Sequence, residues 1–199
     1  MTATSPRLVS WEHGTDLVIE MPVARDVETV WDALTDGAGA GAWFAPFRLG
    51  EDADEVATPG SAADGSTDEE SAEAEEPAAR PITFELEDVD LIGAILSCEE
   101  YDHVLLELGD FGVLGIRLVP LDGETGEEAV LVFTQTAADA ESARSQAADL
   151  GPMWDTHLRL FARSLGLDVA EATEPELNAI YSDLALETAD SADTAEDGS

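Results

Sequence analysis

The most constraining feature of this sequence is a single apolar stripe on a predicted helix near its C-terminal end. In GPMWDTHLRLFARSLG, residues 151–166, large apolar side chains recur at i, i+4, i+7 and i+11, namely Trp154, Leu158, Phe161 and Leu165. Gly166 is a natural C-cap, while Pro152 either starts this helix or kinks a longer one that begins near Glu141. A helix of this kind is suited to covering the concave face of a sheet, which the rest of the chain has to supply.

That surface is predicted to be an antiparallel sheet. The first run alternates apolar and polar residues, as a half-buried strand does, with Leu17, Ile19, Met21 and Val23 on one side. Later strand-like runs follow each other closely, and the clearest turn between them is Asp122-Gly123. The predicted strands cover residues 16–23, 82–88, 92–99, 103–109, 112–119 and 129–136.

Two short helices are predicted between the first strand and the later ones. Asp26 is the expected N-cap of the first helix, whose apolar face carries Val27, Val30, Trp31 and Leu34. A glycine-rich joint, GAGAGAW at 37–43, precedes a second helical turn that is predicted to carry Trp43, Phe44 and Phe47. The order of strand, two short helices, many antiparallel strands and one long helix indicates an α+β fold.

Acidic segments set the expected domain boundaries. Residues 51–80 hold eleven Asp or Glu and almost no large apolar side chain, so we predict a disordered acidic insertion there. A second disordered acidic tail is predicted over 188–199. We therefore expect an N-terminal extension over 1–14 and a single domain over 15–167. A short amphipathic segment over 168–187 follows, with Leu177, Ile180, Tyr181 and Leu184 at helical spacing.

The net charge excludes several classes of partner. The chain carries 45 acidic residues against eight basic ones, all Arg, for a formal charge of -37. Nucleic acid and anionic membrane surfaces both require clustered cations, and a Walker-type phosphate loop requires Lys. Cys98 is the only cysteine, so no internal disulfide can form. No apolar run is long enough for a membrane helix, and the start, MTATSPRLVSWEHG, has no apolar leader, so we expect a cytoplasmic protein.

The same charge predicts a response to salt. Residues 51–80 and 168–199 hold eleven and ten of the 45 acids, which leaves 24 on the rest of the chain. Repulsion among these charges destabilises the compact state at low ionic strength. We therefore expect added salt to raise the melting temperature, because screening weakens that repulsion. A melting temperature that stays flat or falls up to molar salt would contradict this prediction.

Two segments resemble a known superfamily. VARDVETVWDALTDGAGAGAWFAPF resembles the opening of the SRPBCC (START-like) superfamily. AVLVFTQTA and the later GPMWDTHLRLFARSLG resemble the closing strand and long helix of one branch, named after activators of the heat-shock protein 90 ATPase. The resemblance covers roughly residues 15–50 and 81–167. It implies a helix-grip fold, in which a curved antiparallel sheet wraps around the C-terminal helix and encloses a cavity. The acidic insertion and the Gly-Pro-Met-Trp junction at 151–154 depart from the family pattern.

The expected site is this cavity. Aromatic and aliphatic side chains facing it would bind an apolar ligand with few polar anchors. Arg117 could hold a ligand carboxylate, although for it and for Arg159 a salt bridge to Asp or Glu is the competing interpretation. The candidate cavity residues are Trp31, Trp43, Phe44, Phe84, Arg117, Phe133, Trp154, His157, Leu158 and Phe161. For each aromatic residue, simple core packing is the alternative.

No catalytic or metal set emerges from the sequence. His13, His103 and His157 are far apart, and Cys98 has no partner at metal-ligand spacing, so neither a metal nor a cofactor is expected. A Gly-x-Ser-x-Gly elbow is absent, and local context suggests no Ser/His/Asp set.

Three functions follow from these observations. The first is a non-catalytic protein that binds a small hydrophobic ligand in the helix-grip cavity. The second is a protein-interaction module, chaperone-associated as the branch name suggests, that docks through the 175–186 segment or the acidic segments. The third, a cyclase or hydrolase of the kind found elsewhere in the superfamily, is favoured least because it needs placed acid and base groups.

Overall fold

The computed structural model describes residues 1–50, 79–121 and 128–188. The predicted disorder of the insertion at 51–80 and of the tail at 188–199 concerns almost entirely residues outside these ranges. The predicted turn at Asp122-Gly123 also lies outside the described residues.

The described chain forms one curved, open sheet of nine strands, in the order β3-β4-β5-β6-β7-β8-β2-β1-β9. Neighbouring strands are antiparallel except β1 and β9, which are parallel. The strands are β1 Ser5–Trp11, β2 Gly14–Val23, β3 Phe47–Leu49, β4 Arg80–Glu85, β5 Asp90–Glu99, β6 His103–Leu108, β7 Val113–Pro120, β8 Ala129–Ala137 and β9 Leu186–Thr188. Each of the six predicted runs overlaps one of them, whereas β1, β3 and β9 were not predicted.

Helix α1, Val27–Thr35, follows β2 directly. Asp26 caps it as predicted, because its Oδ1 accepts a hydrogen bond of 2.8 Å from the Thr29 N–H. This bond and a second one from the Thr29 side chain hold the pKa of Asp26 below its ordinary value. Val30 and Trp31 are buried on the face of the helix that packs on the core. The second predicted helical turn is wrong in position. A 3₁₀ turn occupies Gly39–Ala42, and Phe47 begins strand β3 instead.

The long helix α2 spans Ala140–Ser164 and contains Pro152 in its interior, so the longer of the two predicted helices is the correct one. Asp139 caps its first turn by accepting from the N–H groups of Glu141 and Ser142 at 3.0 and 2.8 Å. Gly166 ends it with a φ of +73°, in the left-handed region that suits glycine. Trp154, Leu158 and Phe161 of the predicted stripe are buried. None of the described helices combines the length and apolarity needed to cross a membrane.

The third helix, α3, spans Glu174–Ser182 and packs on α2. A reciprocal capping box between Thr173 and Glu176 fixes its start. Its apolar residues Leu177 and Tyr181 are buried, and the Tyr181 ring occupies the space beside Gly151, where an added Cβ would lie 2.1 Å from Tyr181 Cδ1. Of the amphipathic segment predicted at 175–186, Leu177 and Tyr181 are therefore packed within this chain, whereas Ile180 is 45% exposed.

A buried polar cluster ties α2 to the two ends of the described chain. Asp155 forms an ion pair with Arg159, one turn further along α2. Asp155 Oδ2 also accepts hydrogen bonds from Thr4 Oγ1 at 2.6 Å and from the Tyr181 hydroxyl at 2.9 Å. Arg159 donates to Thr4 Oγ1 and to the Ala170 carbonyl, both at 2.6 Å. Burial, followed by the nearby Asp155 charge, raises the pKa of Tyr181, so its hydroxyl stays a donor. The salt-bridge interpretation of Arg159 is thus confirmed.

Candidate ligand cavity

A cavity of about 430 Å³ lies between the sheet and the elements that cover it. Strands β4–β8 contribute aliphatic and aromatic side chains from one side, and α1, α2 and the segment after the 3₁₀ turn contribute from the other. Its volume falls in the usual range for small-molecule sites, about 300–1,000 Å³.

Aromatic rings form the part of the wall nearest α2. Phe44 contacts four of them, with centroid distances of 6.1 Å to Trp43, 5.2 Å to Phe84, 5.9 Å to Trp154 and 5.0 Å to His157. Trp154 in turn lies 5.2 Å from Phe133. Edge and tilted contacts of this kind hold the rings in defined orientations and leave a shaped apolar surface.

The polar tip of Trp154 is used within the protein. Its Nε1–H donates to Gln135 Oε1 at 3.1 Å, and Gln135 Nε2 donates to the Phe111 carbonyl at 2.9 Å. Gln135 is almost completely buried, so this chain of hydrogen bonds satisfies polar atoms that would otherwise be costly to bury. Trp154 therefore presents its apolar rings to the cavity.

His157 has its tautomer fixed by the backbone. Its Nδ1 lies 2.6 Å from the carbonyl oxygen of Trp43. A carbonyl can only accept, so Nδ1 carries the hydrogen and, in the neutral ring, Nε2 is an acceptor. Trp43 Nε1 is also buried, and it has no hydrogen-bond partner among the described residues. Among the described aromatic residues of the wall, Trp43 Nε1 is thus a buried donor left without a partner.

Eight of the ten candidate residues line the cavity: Trp31, Trp43, Phe44, Phe84, Phe133, Trp154, His157 and Leu158. Phe161 is fully buried outside the lining, with its ring 5.2 Å from that of Trp43. Their part in ligand binding stays a prediction.

The placement of Arg117 corrects its assignment to the cavity. Its side chain is 66% exposed, and its Nε donates to Asp102 Oδ1 at 3.3 Å. Leu114 and Ile116 on the same strand line the cavity, and alternation along a strand puts Arg117 on the opposite face. The salt-bridge interpretation of Arg117 is the one confirmed.

Sequence reasoning missed most of the aliphatic wall. Strand alternation could have indicated it, because these residues occupy positions on the strands that face the helix. They are Leu49, Ile82, Ile95, Val104, Leu106, Leu108, Leu114 and Ile116, together with Leu96 at the β5 bulge. Cys98 and Arg80 are also in the lining. Burial raises the pKa of the Cys98 thiol, and the Arg80 charge only partly offsets this, so the sulfur stays protonated and weakly reactive.

Comparison with known proteins supports the fold. No family model matches the chain, and no curated protein matches it either. Among solved structures, the conserved protein of unknown function EF2215 from Enterococcus faecalis matches with a TM-score of 0.59 and 14% identity, over 89% of this chain and 88% of that one. CalU16 from Micromonospora echinospora matches with a TM-score of 0.54 and 14% identity, over 92% of both chains. DynU16, from the dynemicin biosynthetic locus, matches with a TM-score of 0.51 and 17% identity, over 78% of this chain and 51% of that one. At these identities the likeness shows the fold alone.

Proposed function

We propose that this protein binds a small hydrophobic molecule in the cavity between the sheet and α2, without carrying out chemistry on it there. The observation that carries the proposal is an apolar space of about 430 Å³ lined by aromatic and aliphatic side chains. Each Å² of apolar ligand surface removed from water in such a site contributes about 25 cal/mol, so even a two-ring molecule gains useful affinity.

The electrostatics of the chain favour a neutral ligand. A net charge of -37 produces a negative potential around the molecule, which repels anions and is screened only over about 10 Å at 0.1 M salt. Within the cavity, His157 Nε2 offers an acceptor for one ligand donor. A cation is disfavoured for a different reason, because burying its charge among apolar side chains is costly. A neutral aromatic molecule with a single polar group therefore fits best.

We also propose that the chain belongs to the SRPBCC superfamily, in the branch named after activators of the heat-shock protein 90 ATPase. The two quoted segments support this assignment, as does the curved sheet with its long covering helix. The chaperone-associated alternative is favoured less, because Leu177 and Tyr181 of the 175–186 segment are buried against this chain.

A matched pair of fluorescent probes tests the proposal. Phenylnaphthylamine is neutral, and anilinonaphthalene sulfonate has the same rings with an added negative charge. We expect the neutral probe to bind one molecule per chain and to bind more tightly than the sulfonate at low salt. Absence of saturable binding by the neutral probe would overturn the proposal.

A cavity-filling variant locates the bound probe. Leu106→Trp places a large ring in the space, since Leu106 lines it, and we expect a Kd at least about tenfold higher, equivalent to about 1.4 kcal/mol. Leu105→Trp is the matched control, because Leu105 directly precedes Leu106 in β6 and so points to the other face of the sheet. Equal effects of the two substitutions on Kd would place the probe outside the cavity.

A further inference from the structure

A hydrogen-bonded chain of Ser97, His103 and Asp102 lies at the β5–β6 hairpin. Ser97 Oγ is 2.9 Å from His103 Nε2. His103 Nδ1 is 2.7 Å from Asp102 Oδ2. These are the two contacts that join a nucleophile to its base and the base to an orienting carboxylate.

The positions of the hydrogens in the Ser97–His103–Asp102 set follow from which groups can donate and which can only accept. The hydrogen bond from His103, followed by the nearby charge of Arg117, holds the pKa of Asp102 below its ordinary value, so the carboxylate is ionised. An ionised carboxylate only accepts, which puts the imidazole hydrogen on Nδ1. In the neutral ring Nε2 is then an acceptor, and the Ser97 hydroxyl donates to it.

The register of the β5–β6 hairpin brings Ser97 and His103 together. Glu99 pairs with His103, and a bulge between Ile95 and Ser97 shifts the register so that Ser97 pairs with Leu105. Ser97 and His103 thereby become diagonal neighbours on one face of the two strands. Without the extra residue of the bulge, Ser97 would be displaced by one position and would face the other side.

Asp102 is held firmly in the turn. Its N–H donates to the Glu99 carbonyl at 3.1 Å, and its own carbonyl accepts from the Leu118 N–H at 2.7 Å. The preceding residue, Tyr101, has a φ of 65°, which is unfavourable for a bulky side chain. Strain of this kind persists only where surrounding contacts enforce it, and here the strained turn positions the carboxylate.

The hydrogen-bonded set of Ser97, His103 and Asp102 is accessible to small molecules and has a cation beside it. Ser97 is exposed, and the side chains of His103 and Asp102 are 31% and 34% exposed. Arg117 pairs with His103 across β6 and β7 and contacts the second oxygen of Asp102 through Nε. Its guanidinium therefore stabilises the ionised form of Asp102, the carboxylate that orients His103.

We propose that Ser97 is a nucleophile that hydrolyses small activated esters, with His103 as its general base and Asp102 as a positioning residue. Ser97 Oγ forms a bond to the ester carbonyl carbon while its proton moves to His103 Nε2. The carbonyl–oxygen bond to the leaving group then breaks, and an alcohol departs with the proton from His103. Water attacks the acyl-serine, gives a proton to His103, and releases the carboxylic acid as that proton returns to Ser97. Ser97 also borders the ligand cavity, but its hydroxyl is bonded to His103, on the face of β6 opposite to the cavity-lining Val104 and Leu106, so the proposal does not require an occupied cavity.

Hydrolysis of p-nitrophenyl acetate by the full chain tests the assignment. We expect Ser97→Ala and His103→Gln each to lower the rate by about 10²-fold, the usual contribution of general-base catalysis. Ser145→Ala removes another exposed hydroxyl, on α2, and is expected to leave the rate unchanged. A fluorophosphonate should label Ser97, as located by peptide mass spectrometry, in the wild type but not in His103→Gln.

The role of Asp102 has its own measurement. In ¹⁵N NMR spectra, the His103 ring should be protonated at Nδ1 in the wild type and should lose that preference in Asp102→Asn, even if the fold is unchanged.

Glu99, Asp102 and His103 also place ligand atoms within 4.8 Å of one another, as a divalent cation would require. Hydrolysis that survives Ser97→Ala, or that EDTA abolishes, would overturn the proposal, and the second result would indicate a metal site instead.

Discussion

Replacing Asp155 by alanine is expected to lower the free energy of unfolding by about 3–5 kcal/mol, the usual cost of removing one partner from a buried ion pair. The substitution leaves the Arg159 guanidinium buried without its counter-charge, since the residue is only 9% exposed. It also leaves the Tyr181 hydroxyl without its acceptor. Three parts of the chain, the N-terminal segment, α2 and α3, lose a shared contact at once.

Urea denaturation measures this loss, with Arg163→Ala as the control. Arg163 pairs with Glu171 at 2.8 Å, but the two side chains are 42% and 89% exposed, and such surface pairs contribute about 0–1 kcal/mol. The double variant Asp155→Ala/Arg159→Met removes both buried charges and is expected to recover part of the loss. If Asp155→Ala and Arg163→Ala cost the same, the cluster does not hold these segments together.

Phe161→Ala is expected to cost about 3–5 kcal/mol, as large-to-small changes at fully buried aromatic residues do. Phe161 is completely buried and packs edge-on against Trp43, a residue of the cavity lining. Removing its ring leaves space behind Trp43, so this indole can move away from the cavity. We therefore expect the variant to bind larger neutral aromatic probes than the wild type does, despite its lower stability.

The unfolding free energy and probe size are measured together for this test. Phe161→Leu retains most of the buried volume, so it is expected to cost less and to leave the range of accepted probes unchanged. A Phe161→Ala protein as stable as the wild type would show that the helix does not pack on this part of the sheet. If Phe161→Ala lowers the free energy of unfolding but the size range of the probes that bind is unchanged, Trp43 is held by other contacts.

Periodicity was sufficient for the elements that bury one face. The alternation in β2 and the stripe on α2 both follow from burial against a common core, so the sequence located them closely. It failed where backbone geometry decides. The position of the 3₁₀ turn at Gly39–Ala42 is set by local chain reversal, and the strand at Phe47 is only three residues long, too short for a pattern.

The site residues divide in the same way. Large aromatics of the cavity wall were predictable from the family resemblance, and alternation in β7 could have placed Arg117 on the face opposite to Leu114 and Ile116, although its pairing with Asp102 requires the hairpin register. The Ser97–His103–Asp102 chain could not be predicted, because it requires the bulge after Ile95 and the turn at Tyr101. Neither of these has a signature in the local sequence.

Strand β9 has a practical consequence for producing shorter forms of this protein. Leu186–Thr188 pairs with β1, so it covers backbone groups of β1 that would otherwise form an edge open to another chain. A gene cut after residue 167, at the end of the resemblance to the superfamily, would uncover that edge and remove Tyr181 from its place beside Gly151. The resulting fragment should self-associate, whereas a chain that ends after Thr188 keeps both contacts.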